Sequence, residues 1–132
     1  MLKKEIVYTD YNGVERKEIF WFHLSKAELL DMEMTTSGGY AETVQRIIDA
    51  KDTSALIRVF KDLIKKSYGV KSEDGRRFVK SDELFEEFSQ TEAYSQLYME
   101  LTLNADKAAE FINGIIPQDL DAAIKSVAPS AM

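Results

Sequence analysis

The sequence predicts an α+β domain, mostly helical, in which an N-terminal β-hairpin packs on a bundle of about five or six short helices. Three observations predict it. Two strand-like segments rich in β-branched and aromatic residues flank Asn12-Gly13, helix-capping residues recur after Leu24, and Leu56 to Ile64 carry an amphipathic helical stripe.

The strand segments are 2–9 and 14–24. Asn-Gly tolerates positive φ at both central positions of a tight turn, so Asp10-Tyr11-Asn12-Gly13 marks a hairpin. Ile19, Phe20, Trp21, Phe22 and Leu24 favour a pleated surface covered on at least one side. The register stays open, because a two-residue loop would set Asp10 opposite Glu15, a like-charge pair.

Ser25-Lys26-Ala27-Glu28 reads as a capping box that starts a helix running to about Met34, with Ala27, Leu30 and Met34 near one face. Thr35-Thr36-Ser37-Gly38-Gly39 breaks it, and a short helix follows from Tyr40 to Ala50 with Val44, Ile47 and Ile48 at helical spacing. Asp52, Thr53 or Ser54 caps the next, which shows Leu56, Val59, Phe60, Leu63 and Ile64 at i, i+3, i+4, i+7, i+8. Tyr68-Gly69 ends that helix, with glycine in the left-handed conformation. Glu73-Asp74-Gly75 is a turn, and Phe78-Val79 leads out of it to a Ser81-Asp82 cap. The helix beyond carries Leu84, Phe85 and Phe88; after Ser89-Gln90-Thr91-Glu92 another carries Tyr94, Leu97, Tyr98 and Leu101. Asn104 caps a further helix with Ala108, Phe111 and Ile112 that stops at Asn113-Gly114, before Pro117. Residues 118–127 suggest a weak helix. The whole reads as one globular domain over 1–127, hairpin 2–24 and helices 25–127, followed by a flexible tail at 128–132. Trp21, Phe22, Leu56, Phe60, Leu63, Leu97 and Leu101 are the expected core.

At 132 residues and 45% hydrophobic content the chain is long enough to bury a core without staples. It has no cysteine, which removes disulfides and thiolate chemistry. A net charge of −6 argues against tracking a phosphate backbone, so no nucleic-acid partner is expected. The charge is uneven: residues 61–80 carry 7 basic and 3 acidic side chains, residues 81–132 carry 2 and 10. A basic middle and an acidic end attract each other within one copy or between copies. No apolar run approaches the ~20 residues of a membrane span, and the N-terminus lacks the pattern of a signal peptide.

Chemistry has little to stand on. His23 is the only histidine, and no nucleophile or orienting acid is pointed out for it; a packed or edge-of-sheet imidazole is the simpler reading. Ser72-Glu73-Asp74-Gly75 lacks the alternating acids of a calcium loop. Asp82-Glu83 and Glu86-Glu87 lie on a solvated helix face, and Asp82 and Glu83 suit the positive end of a helix dipole. No phosphate-cradling glycine motif or nucleophile elbow occurs. A non-enzyme without cofactor or metal is expected. The candidate surface for partners comprises Phe85, Phe88, Tyr94, Tyr98, Ile115 and Ile116 with Arg76 and Arg77, since aromatic side chains with wet edges suit interfaces.

A series of strings in order carries a resemblance. Ile6-Val7-Tyr8-Thr9-Asp10-Tyr11-Asn12-Gly13 precedes Phe20-Trp21-Phe22-His23-Leu24-Ser25-Lys26-Ala27-Glu28-Leu29. Ile57 through Gly69 and Asp74-Gly75-Arg76-Arg77-Phe78 follow, then Phe88-Ser89-Gln90-Thr91-Glu92-Ala93-Tyr94 and Phe111-Ile112-Asn113-Gly114-Ile115-Ile116-Pro117. Together they resemble the tail assembly chaperones of long-tailed phages and prophages of Gram-positive bacteria, from about residue 5 to residue 118. The resemblance implies a protein of the host cytoplasm that binds the tape measure protein, keeps it soluble, helps recruit major tail protein, and is absent from the mature virion. It also implies a short form of a family whose longer product arises by frameshifting. Helix-in-groove docking and homo-oligomerisation fit that role. The rival readings are a structural tail protein (completion or adaptor) retained in the virion, and a small phage-encoded enzyme or inhibitor. In the oligomer, the basic turn of one copy (Arg76, Arg77, Lys80) would meet Glu83, Glu86 and Glu87 of the next.

Overall fold

The computed structural model describes residues 1–116. The order is β1 (Leu2–Thr9), β2 (Glu15–Phe22), α1 (Lys26–Thr35), α2 (Tyr40–Asp49), α3 (Thr53–Ser67), β3 (Tyr68–Lys71), β4 (Phe78–Val79), α4 (Asp82–Ser89), α5 (Glu92–Leu103) and α6 (Ala105–Ile115). The fold is α+β, an antiparallel sheet with six helices, as the sequence predicts.

The hairpin closes differently from a two-residue Asn-Gly turn. Asp10 N–H donates to the Val14 carbonyl and Thr9 faces Glu15, so three residues, Tyr11 to Gly13, form the loop. Only Gly13 takes positive φ, at 79°. The Asp10 carboxylate accepts from the Asn12 and Val14 N–H groups and from Arg16, which fixes this register and avoids the Asp10–Glu15 clash.

The sheet has four strands, in the order β1-β2-β3-β4. The two short ones lie in the stretch read from sequence as a helix end and a turn exit. Gly69 is a strand residue rather than a left-handed helix cap. A Cβ there would meet the Phe78 ring at 2.6 Å and the Val79 carbonyl oxygen at 2.8 Å, so close strand packing is what requires glycine.

Strand alternation sorts the aromatic residues. Phe22 points inward with Ile6 and Tyr8, where Ala93, Leu97 and Leu101 of α5 and Phe111 and Ile115 of α6 cover the sheet. Trp21 must then face outward. It is half-buried, with the Lys71 amine 3.8 Å from its ring centroid and Lys3 at 6.0 Å. Of the expected core, Phe22, Phe60, Leu63, Leu97 and Leu101 are buried; Trp21 and Leu56 are only half-buried.

The capping box forms as read: Glu28 N–H donates to Ser25 Oγ at 3.1 Å, and Ser25 N–H donates to Glu28 Oε1 at 2.9 Å. The inward face of α1 differs, however. Leu29 and Met32 are buried while Ala27 and Met34 are exposed, because neighbouring helices rather than local spacing decide which stripe is covered. Asp52 caps α3, Ser81 caps α4 and Thr91 caps α5. Asn104 both ends α5 and caps α6. Helix α6 continues through Asn113-Gly114 to Ile115, and Gly114 admits the Leu2 side chain, whose Cδ1 would lie 2.8 Å from a Cβ there. The expected helix at 118–127 and tail at 128–132 lie outside the described residues.

Candidate functional site

Four helices, α1 to α4, and the chain just after β2 and β4 line a cleft of about 580 Å³. Leu24, Met32, Tyr40 and Phe85 supply its apolar side chains. Its polar lining includes Glu28 and Asp31 of α1, Asp62, Lys65 and Lys66 of α3, and Lys80. Helix α2 contributes Tyr40 and contains no buried residue, so the cleft is walled on that side by a lightly held helix. Gly38 and Gly39, at φ 79° and 88°, make the sharp turn that brings α2 back beside α1.

Charge at the rim is mostly paired. Lys80 Nζ lies 2.7 and 2.8 Å from the Glu28 carboxylate oxygens. Burial pushes the Glu28 carboxyl up, but Lys80 and the Ser25 N–H outweigh it and hold the group below its ordinary range. Lys66 pairs with Asp62 at 2.9 Å. Tyr40 is the exception among polar groups: its hydroxyl is buried and has no hydrogen-bond partner. Burial, reinforced by Asp62, pushes that phenol up to about 12, so it stays a donor at any physiological pH.

The expected partner-surface residues separate into groups. Phe85, Phe88, Tyr94 and Tyr98 form one aromatic row, with Phe85–Tyr94 at 6.0 Å, Phe88–Tyr94 at 5.7 Å and Tyr94–Tyr98 at 6.2 Å between ring centroids. Phe85, Tyr94 and Tyr98 are half-buried, and Phe85 also lines the cleft. Phe88 and Ile115 are 2% and 0% exposed and present no surface in this conformation. Ile116 is half-buried at the far end of α6. Arg76 and Arg77 are exposed in the β3–β4 turn and do not line the cleft. Lys80, grouped with them by sequence, is engaged by Glu28 instead. The cleft residues Met32, Tyr40 and Lys65 carry no sequence signal of their own; a pair separated by 52 positions, such as Glu28–Lys80, has no local signature either.

His23 follows β2, its N–H donating to the Ser67 carbonyl at 2.8 Å. Its ring meets the Phe78 ring edge-on at 6.1 Å, and its Nδ1 is buried with no partner. Burial, helped by the N-terminal ammonium and Lys80, lowers its pKa. Among the described residues no group of three or more His, Cys, Asp or Glu side chains is placed to hold a metal ion, and no helix is long and apolar enough to cross a membrane.

A mixed cleft beside an aromatic row is the main surface feature of this small α+β domain. The family model for phage tail assembly chaperones matches residues 1–131, and the chain belongs to that family. Neither the curated proteins nor the solved structures gave a match.

Proposed function

We propose that this chaperone binds the tape measure protein of the tail and keeps it soluble in the host cytoplasm until tail assembly, with major tail protein as a second partner. The chain performs no catalysis in this role and is left out of the finished virion. The observation that carries the reading is the cleft: half-buried Tyr40 and Phe85 present apolar surface above the buried Leu24 and Met32 side chains, between charged rims. An amphipathic helix seats its apolar stripe in such a groove and leaves its polar flanks at the rim.

Co-expression with the tape measure protein tests this. The expected result is a soluble complex that co-purifies, and loss of that complex when Thr35→Arg crowds the exposed lip of the cleft while the variant melts like the parent. Tape measure protein that aggregates equally with and without the chain refutes the reading. A complex indifferent to Thr35→Arg refutes the cleft as its seat.

A further inference from the structure

Among the described residues, α2 is the one helix with no buried residue. Its sequence is nonetheless amphipathic. Tyr40, Val44, Ile47 and Ile48 fall on one stripe at i, i+4, i+7 and i+8, and Glu42, Gln45, Arg46 and Asp49 are exposed around it. The helix packs on α1 and α3, yet the stripe is only partly covered: Tyr40, Val44 and Ile47 are half-buried, and Ile48 is 46% exposed.

Both ends of α2 turn through left-handed backbone. Gly38 and Gly39 precede it at φ 79° and 88°, and Lys51 follows it at φ 55°. Lys51 is the one residue other than glycine with positive φ among the described residues, an uncommon conformation for a lysine. One side chain of α1 latches the near end. The Glu33 carboxylate accepts from the Ala41 N–H at 3.0 Å, and it reaches that position because Gly39 has no Cβ, which would lie 2.5 Å from Glu33 Oε1. Tyr40 acts against the latch. Its hydroxyl is buried without a partner, a cost that hydration removes once α2 lifts away.

We propose, on the reading that the cleft seats the tape measure protein, that α2 is a hinged lid. It swings away from α1 and α3 about the Gly38-Gly39 turn and Lys51, and a helix of the tape measure protein takes the place it leaves. Local opening draws on the least buried element of a fold, and α2 is that element. With the lid shut, the cleft ends at Tyr40; with it open, the cleft continues along α1 and α3. Because α2 is a built-in stand-in for the partner, the partner helix carries apolar residues at i, i+4 and i+7, as α2 does at Tyr40, Val44 and Ile47. The apparent affinity is then the intrinsic one reduced by the fraction of the chain whose lid is open.

Hydrogen exchange read by mass spectrometry on the full chain tests the lid. Residues 40–49 are expected to exchange faster than α1 and α3. Tyr40→Phe, which removes the unpaired hydroxyl, should slow that exchange roughly fivefold or more, and Glu33→Ala, which cuts the latch, should speed it. Soluble yield of co-expressed tape measure protein, with the chaperone limiting, tests the gate. Tyr40→Phe should lower the yield and Glu33→Ala should raise it, so the less stable variant is the better chaperone. Glu33 does not line the cleft, so its effect passes through the lid and not through a lost contact. An α2 that exchanges no faster than α3 overturns the lid and leaves the cleft as the seat. Yields that are equal, or that rise and fall with stability, overturn the gate. If neither the parent nor either variant keeps tape measure protein soluble, the seat itself fails and the gate with it.

Discussion

His23 shows how one residue is constrained by what surrounds it. Its Nδ1 is buried without a partner and its ring lies edge-on to Phe78, so the neutral imidazole fits and the imidazolium does not. With the folded pKa lowered below 6.5, the unfolded chain binds the proton more readily. The contribution to stability is thus complete above pH 6.5 and is lost as pH falls through the folded value. Urea melts between pH 7 and 5 should show a falling midpoint that His23→Gln flattens. The carboxylates with lowered pKa values, Asp10, Glu28 and Asp74, titrate in a more acidic window and leave this one to the histidine. An identical pH slope in parent and variant refutes the assignment. From sequence, His23 was legible as packed or edge-of-sheet, but its neighbour Phe78, 55 positions away, was not.

At the scale of elements, local chemistry was readable and tertiary partnership was not. Ser25-Lys26-Ala27-Glu28 announced its helix because both halves of the capping box sit within four residues. Ser25→Ala removes the acceptor for the Glu28 N–H and should cost about 1 kcal/mol in a denaturant melt. Glu28→Gln keeps a cap acceptor for the Ser25 N–H but loses the ion pair with Lys80, which is partly open to solvent; its cost should stay within ~0–1 kcal/mol. A larger loss for Glu28→Gln than for Ser25→Ala would make the ion pair, and not the cap, the main support of α1. Strands β3 and β4 were missed for the complementary reason. Tyr68–Lys71 and Phe78–Val79 are too short to show alternation, and they exist because the end of β2 offers Trp21 and Phe22 as a template. Trp21 was placed in the core on aromatic character alone; the period of two that seats Phe20 and Phe22 inside turns it to the other face.

For the whole molecule, the α+β class and the cores of α3 and α5 were legible from stripes, while the cleft was not. It is made where α1, α2, α3 and α4 leave a gap, and a gap has no periodicity. A chaperone that releases its client should be missing from purified particles. Mass spectrometry of virions is expected to find tape measure and major tail proteins without this chain, and its presence at a fixed copy number would favour a retained structural tail protein.

The hydrogen bond from Leu24 N–H to the Ile115 carbonyl, 3.0 Å long, ties the end of the hairpin to the end of the last described helix. Translation delivers these two ends in order, the hairpin first and α6 last. Until α5 and α6 leave the ribosome, Ile6, Tyr8 and Phe22 have no cover, and a two-stranded ribbon with an uncovered apolar face is only marginally stable. Folding therefore waits on contacts between the chain's extremes, the slow kind of closure. During that interval the nascent hairpin exposes the aggregation-prone surface that chaperones exist to shield, so this chaperone begins its own life in the condition of a client.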